Sequence, residues 1–269
     1  MSSAKYDDVR QILDAAERHG IKLRVLGGLA IRKHCYEIDF CERDYADIDL
    51  VGLSRQSSDI VKLMLQLGYE EVRSMTYATG GTRLLFTKPE SPLHIDVFLD
   101  QLNIEHAIDL RTRLDIEDET ISVTDLLLAK LTITRINEKD LRDIVTLLKD
   151  LSYGEEDEHG MINWRYIVSL CSRRWGLYTD VILTIDRIIS LLKDYEMTDS
   201  SRKPVLSRLK HLRDQIVNAP KSIRWKLRAI LGTRFSWRRP VEAETITSTS
   251  LDVELAKKKR ISLDEDRFA

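Results

Sequence analysis

No run of about eighteen apolar residues occurs anywhere in the chain, so its hydropathy contains no membrane-spanning helix. Cysteine is scarce, and Cys35, Cys41 and Cys171 lack the spacing of a metal site. That scarcity argues against a disulfide framework and predicts free thiols in a reducing compartment, with a Cys35–Cys41 redox pair as the less favoured reading. The opening stretch MSSAKYDDVR has no apolar core of a secretory signal, so a cytoplasmic protein with no membrane partner is expected. A large charge of either sign is missing too: 42 Lys and Arg stand against 44 Asp and Glu, a formal net charge of −2. What is present is an ordinary composition, 43% hydrophobic and 32% charged over 269 residues, enough for a sizeable core and two domains.

The chain is organised around the stretch from Arg24 to Val51, RVLGGLAIRKHCYEIDFCERDYADIDLV. A short apolar strand stops at Gly27-Gly28, a helical run from Leu29 to about Tyr36 follows, and a second strand carries Asp47 and Asp49. Strand side chains alternate, so Asp47 and Asp49 are expected on one face, with Ile48 and Leu50 turned into the sheet. Two carboxylates side by side repel each other, and a divalent cation is what usually neutralises them. Two glycines before a helix offer backbone N–H groups and a positive helix end to a phosphate. An ordinary strand–helix turn would use the same glycines, because glycine reaches positive φ without cost. The phosphate reading therefore depends on the carboxylates downstream.

In chain order, Asp7–His19 reads as an amphipathic helix ended by Gly20, and Ile21–Leu26 as the first strand. Ser57 or Ser58 caps a helix through Leu67, ended by Gly68. Gly80-Gly81, TRLLF and LHIDVFL then predict an antiparallel hairpin leading into the strand of Asp96, in a mixed sheet. Asp96 alone would be a solvent-facing strand residue; beside Asp47 and Asp49 it becomes a third candidate ligand. Further on, Thr124 can cap the almost wholly apolar helix DLLLAKLTITRI, interrupted by Lys130. In the next helix, EKDLRDIVTLLKDL, Asp140 falls inside the apolar arc and Asp143 at its edge. A carboxylate facing the packed side is costly unless paired, so Lys130 and Asp140 are either a structural ion pair or functional groups.

Taken together, LGGLA, the Asp47-Ile48-Asp49-Leu50 pair and Asp96 within LHIDVFLD resemble the nucleotidyltransferase superfamily, the fold of DNA polymerase β. Arg43 ahead of the Asp pair, and AKL…R…KDLRDI with Lys130, Arg135, Asp140 and Asp143, are similar to the AbiEii-type toxin branch. That branch usually carries Ser or Thr two residues before the first Asp; here Tyr45 stands there.

The resemblance implies an α+β fold with a mixed-sheet catalytic core at 1–121; beyond it the sequence pattern predicts a helical domain at 122–239 and a mobile charged tail at 240–269. It implies transfer of a nucleoside monophosphate from a nucleoside triphosphate to an acceptor hydroxyl, with pyrophosphate released. Asp47, Asp49 and Asp96 would hold Mg²⁺, two ions being expected. Gly27, Gly28, Arg43 and Lys130 would contact the nucleotide, and Lys130 and Asp140 would join the three acids in catalysis. RNA, in particular the 3′ end of tRNA, or a protein is the implied acceptor, and an antitoxin protein a possible partner. A small-molecule acceptor of aminoglycoside type, and a non-catalytic RNA- or protein-binding module, are the alternatives.

The C-terminal third supports an RNA partner on its own terms. From Arg202 to Arg239 there are twelve Lys or Arg against one acid, Asp214, with Trp225, Phe235 and Trp237 interleaved. Such a segment neutralises phosphates and stacks bases. The bland alternative is a basic helix packed on an acidic core.

Overall fold

The computed structural model describes residues 2–43, 45, 47–89 and 93–238. Its elements run α1 Ser2–Arg18, β1 Leu23–Leu26, α2 Gly27–Lys33, α3 Ile38–Cys41, β2 Ile48–Gly52, α4 Ser57–Gln66, β3 Glu70–Glu71, α5 Arg73–Ala78, β4 Arg83–Thr87 and β5 His94–Leu99. Two short hairpin strands follow, β6 Gln101–Asn103 and β7 Ala107–Asp109, then α6 Val123–Leu131 and α7 Glu138–Asp150. The pair β8 Ser152–Gly154 and β9 Met161–Asn163 leads into α8 Trp164–Arg173, α9 Trp175–Leu191, α10 Asp199–Asn218 and α11 Ile223–Leu231.

The main sheet has the order β1-β2-β5-β4-β3. β2 and β5 are parallel, while the β1–β2, β5–β4 and β4–β3 pairs are antiparallel, so the sheet is mixed as expected. Its inward face is lined by Ile48, Leu50, Phe86, Ile95 and Val97, all withdrawn from water. The outer edge of β1 is covered, because Val25 N donates to Glu119 O and Ile121 N donates to Val25 O. An edge so covered cannot recruit a foreign strand.

Helices α6 and α7 pack against α2, and one continuous cluster of buried side chains runs from Val9 on α1 to Ile216 on α10. The C-terminal helical region follows, with α10 burying Val205, Leu209, Leu212 and Ile216 on a single stripe. The molecule is thus an α+β structure, a mixed sheet flanked by helices and followed by helices.

Four local expectations need correction, the first being that the N-cap position of α4 is Gln56, with no side-chain cap from Ser57 or Ser58. Cys35 and Cys41 are disulfide-bonded rather than free, and only Cys171, fully buried, remains a thiol. The reason is proximity: α2 and the single turn of α3 bring their ends together, with Cα atoms 6.5 Å apart. The cap of α6 is Ser122, whose Oγ accepts from Asp125 N, whereas Thr124 sits inside and hydrogen-bonds Met161 O. Strand β2 begins at Ile48, so Asp47 lies just before the strand, exposed, rather than within it. The charged tail expected at 240–269 lies outside the described residues.

Candidate active site

Gly27, the first residue of α2, adopts φ 72°, a left-handed conformation that β1 needs in order to turn directly into the helix. A Cβ at Gly27 would run into Asp49 Oδ2, so the glycine is also what admits that carboxylate. A Cβ at Gly28 would meet Arg43 Nη2 at 2.5 Å and Tyr45 Cε1 at 3.0 Å. The two glycines are therefore close-approach positions, one against each half of the site.

Asp49 and Asp96 are direct register partners on the parallel strands β2 and β5. Residues so paired project to the same side of the sheet, so the two carboxylates stand beside each other. Asp49 is half-buried and Asp96 8% exposed. Burial, then the negative charges of Asp96 and Asp47, push the Asp49 carboxyl up to about 7, against the opposing pull of Lys130 and Arg83. Asp47 is thus close enough to act on Asp49 although it stands outside the strand.

Arg83 is the residue that sequence reasoning missed. Its Nε donates to Asp96 Oδ1 at 2.6 Å, and its guanidinium lies 5.3 Å from the Phe98 ring centroid. The hairpin of β4 and β5 places it there, thirteen residues from Asp96 in sequence. The alternation of TRLLF held the signal: Arg83 and Leu85 share a face opposite to Leu84 and Phe86.

Lys130 and Asp140 do form an ion pair, Nζ to Oδ1 at 2.8 Å, and Lys130 also meets Asp143 Oδ2 at 2.8 Å. Burial would lower the Lys130 pKa, but the two carboxylates outweigh it and the net shift is upward. Arg43 Nη2 donates to the same Asp143 Oδ2 at 2.9 Å and Nη1 to Lys139 O. Asp140 is further occupied as the third residue of a capping box, accepting from Asn137 N while Asn137 Oδ1 accepts from Asp140 N. This network sits behind the glycine turn and ties α6 and α7 to the segment that precedes β2. Tyr45, where a Ser or Thr was expected, has its hydroxyl on Cys41 O at 2.8 Å and its ring under Gly28 and 5.0 Å from the Arg43 guanidinium. It fills space rather than presenting a hydroxyl to the site.

Among the described residues, no group of three or more His, Cys, Asp or Glu is gathered tightly enough to form a complete metal cage. The donor set still suits Mg²⁺, which takes one or two carboxylates and completes its shell with water and substrate phosphates. Asp49 and Asp96, side by side on the parallel strands, would supply the two oxygen donors.

Six of the eleven described Lys and Arg of the basic segment are engaged within the fold. Arg202 donates to Leu192, Lys193, Tyr195 and Met197 carbonyls, Arg208 to Leu148 and Leu151, and Lys221 to Ile216, Val217 and Ala219. These are the ends of helices or the turns after them, where carbonyls lack partners and cations are favoured. Trp225 packs edge-on against Tyr178 and Trp237 against Trp175, so neither indole is presented for base stacking. Arg135 has no role that the site explains.

No family model matches the chain, and no curated protein matches it. Among solved structures, the solution structure of the antibiotic-resistance factor ANT(2'')-Ia is similar over 72% of this chain and 98% of that one, at 11% identity and a TM-score of 0.40. A likeness of that degree carries no argument about chemistry.

Proposed function

We propose that the protein is a nucleotidyltransferase, moving a nucleoside monophosphate from a nucleoside triphosphate to an acceptor hydroxyl. The observation that carries this reading is the in-register pairing of Asp49 and Asp96 on parallel strands, with Gly27 in contact with Asp49. Mg²⁺ held by these carboxylates, with Asp47 at the mouth, would neutralise phosphate charge and stabilise the leaving pyrophosphate.

The chain's own groups do the rest. Gly27 and Gly28, lacking side chains, leave the backbone open to close approach by the phosphates. The acceptor oxygen attacks the α-phosphorus, the bond from that phosphorus to the bridging oxygen breaks, and pyrophosphate departs with the electron pair. Arg83 on Oδ1 keeps Asp96 oriented, and Oδ2 of Asp96 is the atom that would either hold the ion or take the hydroxyl proton. Lys130 and Arg43 brace the turn through Asp140 and Asp143, and in this reading they are positioning residues. Direct contact of Lys130 with a triphosphate would require it to release one of two buried carboxylates.

RNA, including the tRNA 3′ end, or a protein hydroxyl, in a toxin-like setting with an antitoxin partner, is the acceptor reading carried over from the sequence resemblance. A small aminoglycoside-type acceptor is the second reading, favoured by the inward packing of Trp225 and Trp237, which removes two stacking platforms from the basic segment. Incubation with each α-labelled nucleoside triphosphate, Mg²⁺ and total RNA, beside Asp49→Asn and Asp47→Asn, tests both. Label in RNA with wild type alone, lost roughly a hundredfold or more in the variants at unchanged melting, supports transfer to nucleic acid. Label reaching only a small aminocyclitol acceptor, insensitive to salt, supports the second reading. No nucleotide binding by wild type removes the enzyme reading altogether.

A further inference from the structure

Of the ten large apolar side chains that stand exposed among the described residues, five fall within thirteen residues at the C-terminal end: Ile223, Leu227, Ile230, Leu231 and Phe235. Ile223 is 78% exposed, Ile230 77% and Leu227 61%, values at which scattered surface residues would need no explanation but a row does. The first four lie on α11 at the spacing i, i+4, i+7, i+8, which gathers them into one arc about 100° wide. On the same wheel Arg224 borders the arc on one side and Lys226 on the other, both exposed, with Arg234 following in the next turn. Trp225, on the opposite side, faces the protein and packs on Tyr178. Arg228 is turned back to the carbonyls of Gly232 and Phe235, closing the helix end. From Lys221 to Arg238 there is no acidic residue.

We propose that α11 with Phe235 is a docking face for an anionic lipid surface, lying in the headgroup layer rather than crossing the bilayer. A convex helix that offers aliphatic side chains between exposed cations, with no carboxylate partner among the described residues, matches such a surface in both of its properties: apolar depth and negative charge at the rim. Nucleic acid would match the cations and Phe235 alone, since the indoles of Trp225 and Trp237 pack on Tyr178 and Trp175 and the other outward groups are aliphatic. The helix is anchored for the role, because Trp225 and Lys221 hold it to Tyr178 while Trp237 and Arg238 hold the chain beyond it to the buried Asp180. No helix of the described residues is long and apolar enough to cross a membrane. The proposal does not depend on the catalytic reading.

The test is co-flotation of the full chain with phosphatidylcholine vesicles, with and without phosphatidylserine. Flotation with the anionic vesicles alone is expected, reduced roughly tenfold or more by L227S with I230S and likewise by R224E with K226E. These positions are exposed, so melting should be unchanged, and circular dichroism of each variant checks it. Equal flotation of wild type and both variants, or none with either vesicle, overturns the proposal. So does a filter-binding signal for RNA lost in R224E/K226E but kept in L227S/I230S, without flotation. A concentration-dependent dimer broken by L227S/I230S, again without flotation, would assign the row to a second copy. Flotation gained only when residues 239–269 are removed overturns the proposal for the full chain and assigns the face to the chain's own tail.

Discussion

At the scale of single residues, the site is defined by what its glycines exclude. Gly27 combines a positive φ with contact against Asp49 Oδ2, so an added methyl group suffers twice. Gly27→Ala is expected to lower stability by about 1–3 kcal/mol, the cost of a strained backbone position and a displaced carboxylate. Urea unfolding measures it, and an Ala variant as stable as wild type would show that Asp49 is free to move aside. Thiol chemistry makes a second residue-scale prediction. Burial pushes the Cys171 thiol up to about 12, and Cys35 and Cys41 are bonded to each other. The native oxidised protein should take up no thiol reagent, and a single equivalent should appear once it is unfolded. Uptake of three equivalents under unfolding without reductant would show the pair to be reduced.

At the scale of elements, the carboxylate strands and the glycine turn were legible because their signals are local: alternation, a Gly-Gly break, and acids at spacing two. The Lys130–Asp140 alternatives were legible as well, since a charge inside an apolar arc must be paired. What the sequence concealed depends on neighbours across the sheet or between helices. Arg83 reaches Asp96 only through the β4–β5 register, and Tyr45 lies under Gly28 only because α3 bends the chain back. The short β6–β7 hairpin and α5 escaped because segments of three to six residues carry too few periods to read. The Lys130 network also makes a prediction that separates bracing from chemistry. Lys130→Met leaves Asp143 with Arg43 and the buried Asp140 with no cation among the described residues, and is expected to cost about 3–5 kcal/mol. A Lys130→Met protein that melts like wild type yet transfers no nucleotide would instead give Lys130 a direct part in the reaction.

At the scale of the whole molecule, distant segments are joined by a few buried polar contacts that acidification should undo. His34, at the end of α2, is held by Thr120 Oγ1 at 2.9 Å, and burial pulls its pKa down to about 4. A histidine kept neutral in the fold contributes stability above its unfolded pKa of about 6.5, and loses it as pH falls toward 4. The loss should approach about 3 kcal/mol, and it should be flattened in His34→Gln. Denaturation midpoints collected between these pH values decide it; identical profiles for the two proteins would exclude His34 as the sensor.

Asp180, with no exposed surface on α9, receives His106 from the β6–β7 hairpin at 2.8 Å, Trp237 Nε1 at 2.9 Å and Arg238 Nη2 at 2.7 Å. Those last two donors set a sharp limit on how far the polypeptide can be shortened. A version ending after Arg238 retains every donor that the described residues give that carboxylate, whereas one ending after Ser236 leaves it with His106 alone among them. Two residues thus separate a trimming that crystallographers would welcome from one that should melt at a distinctly lower temperature.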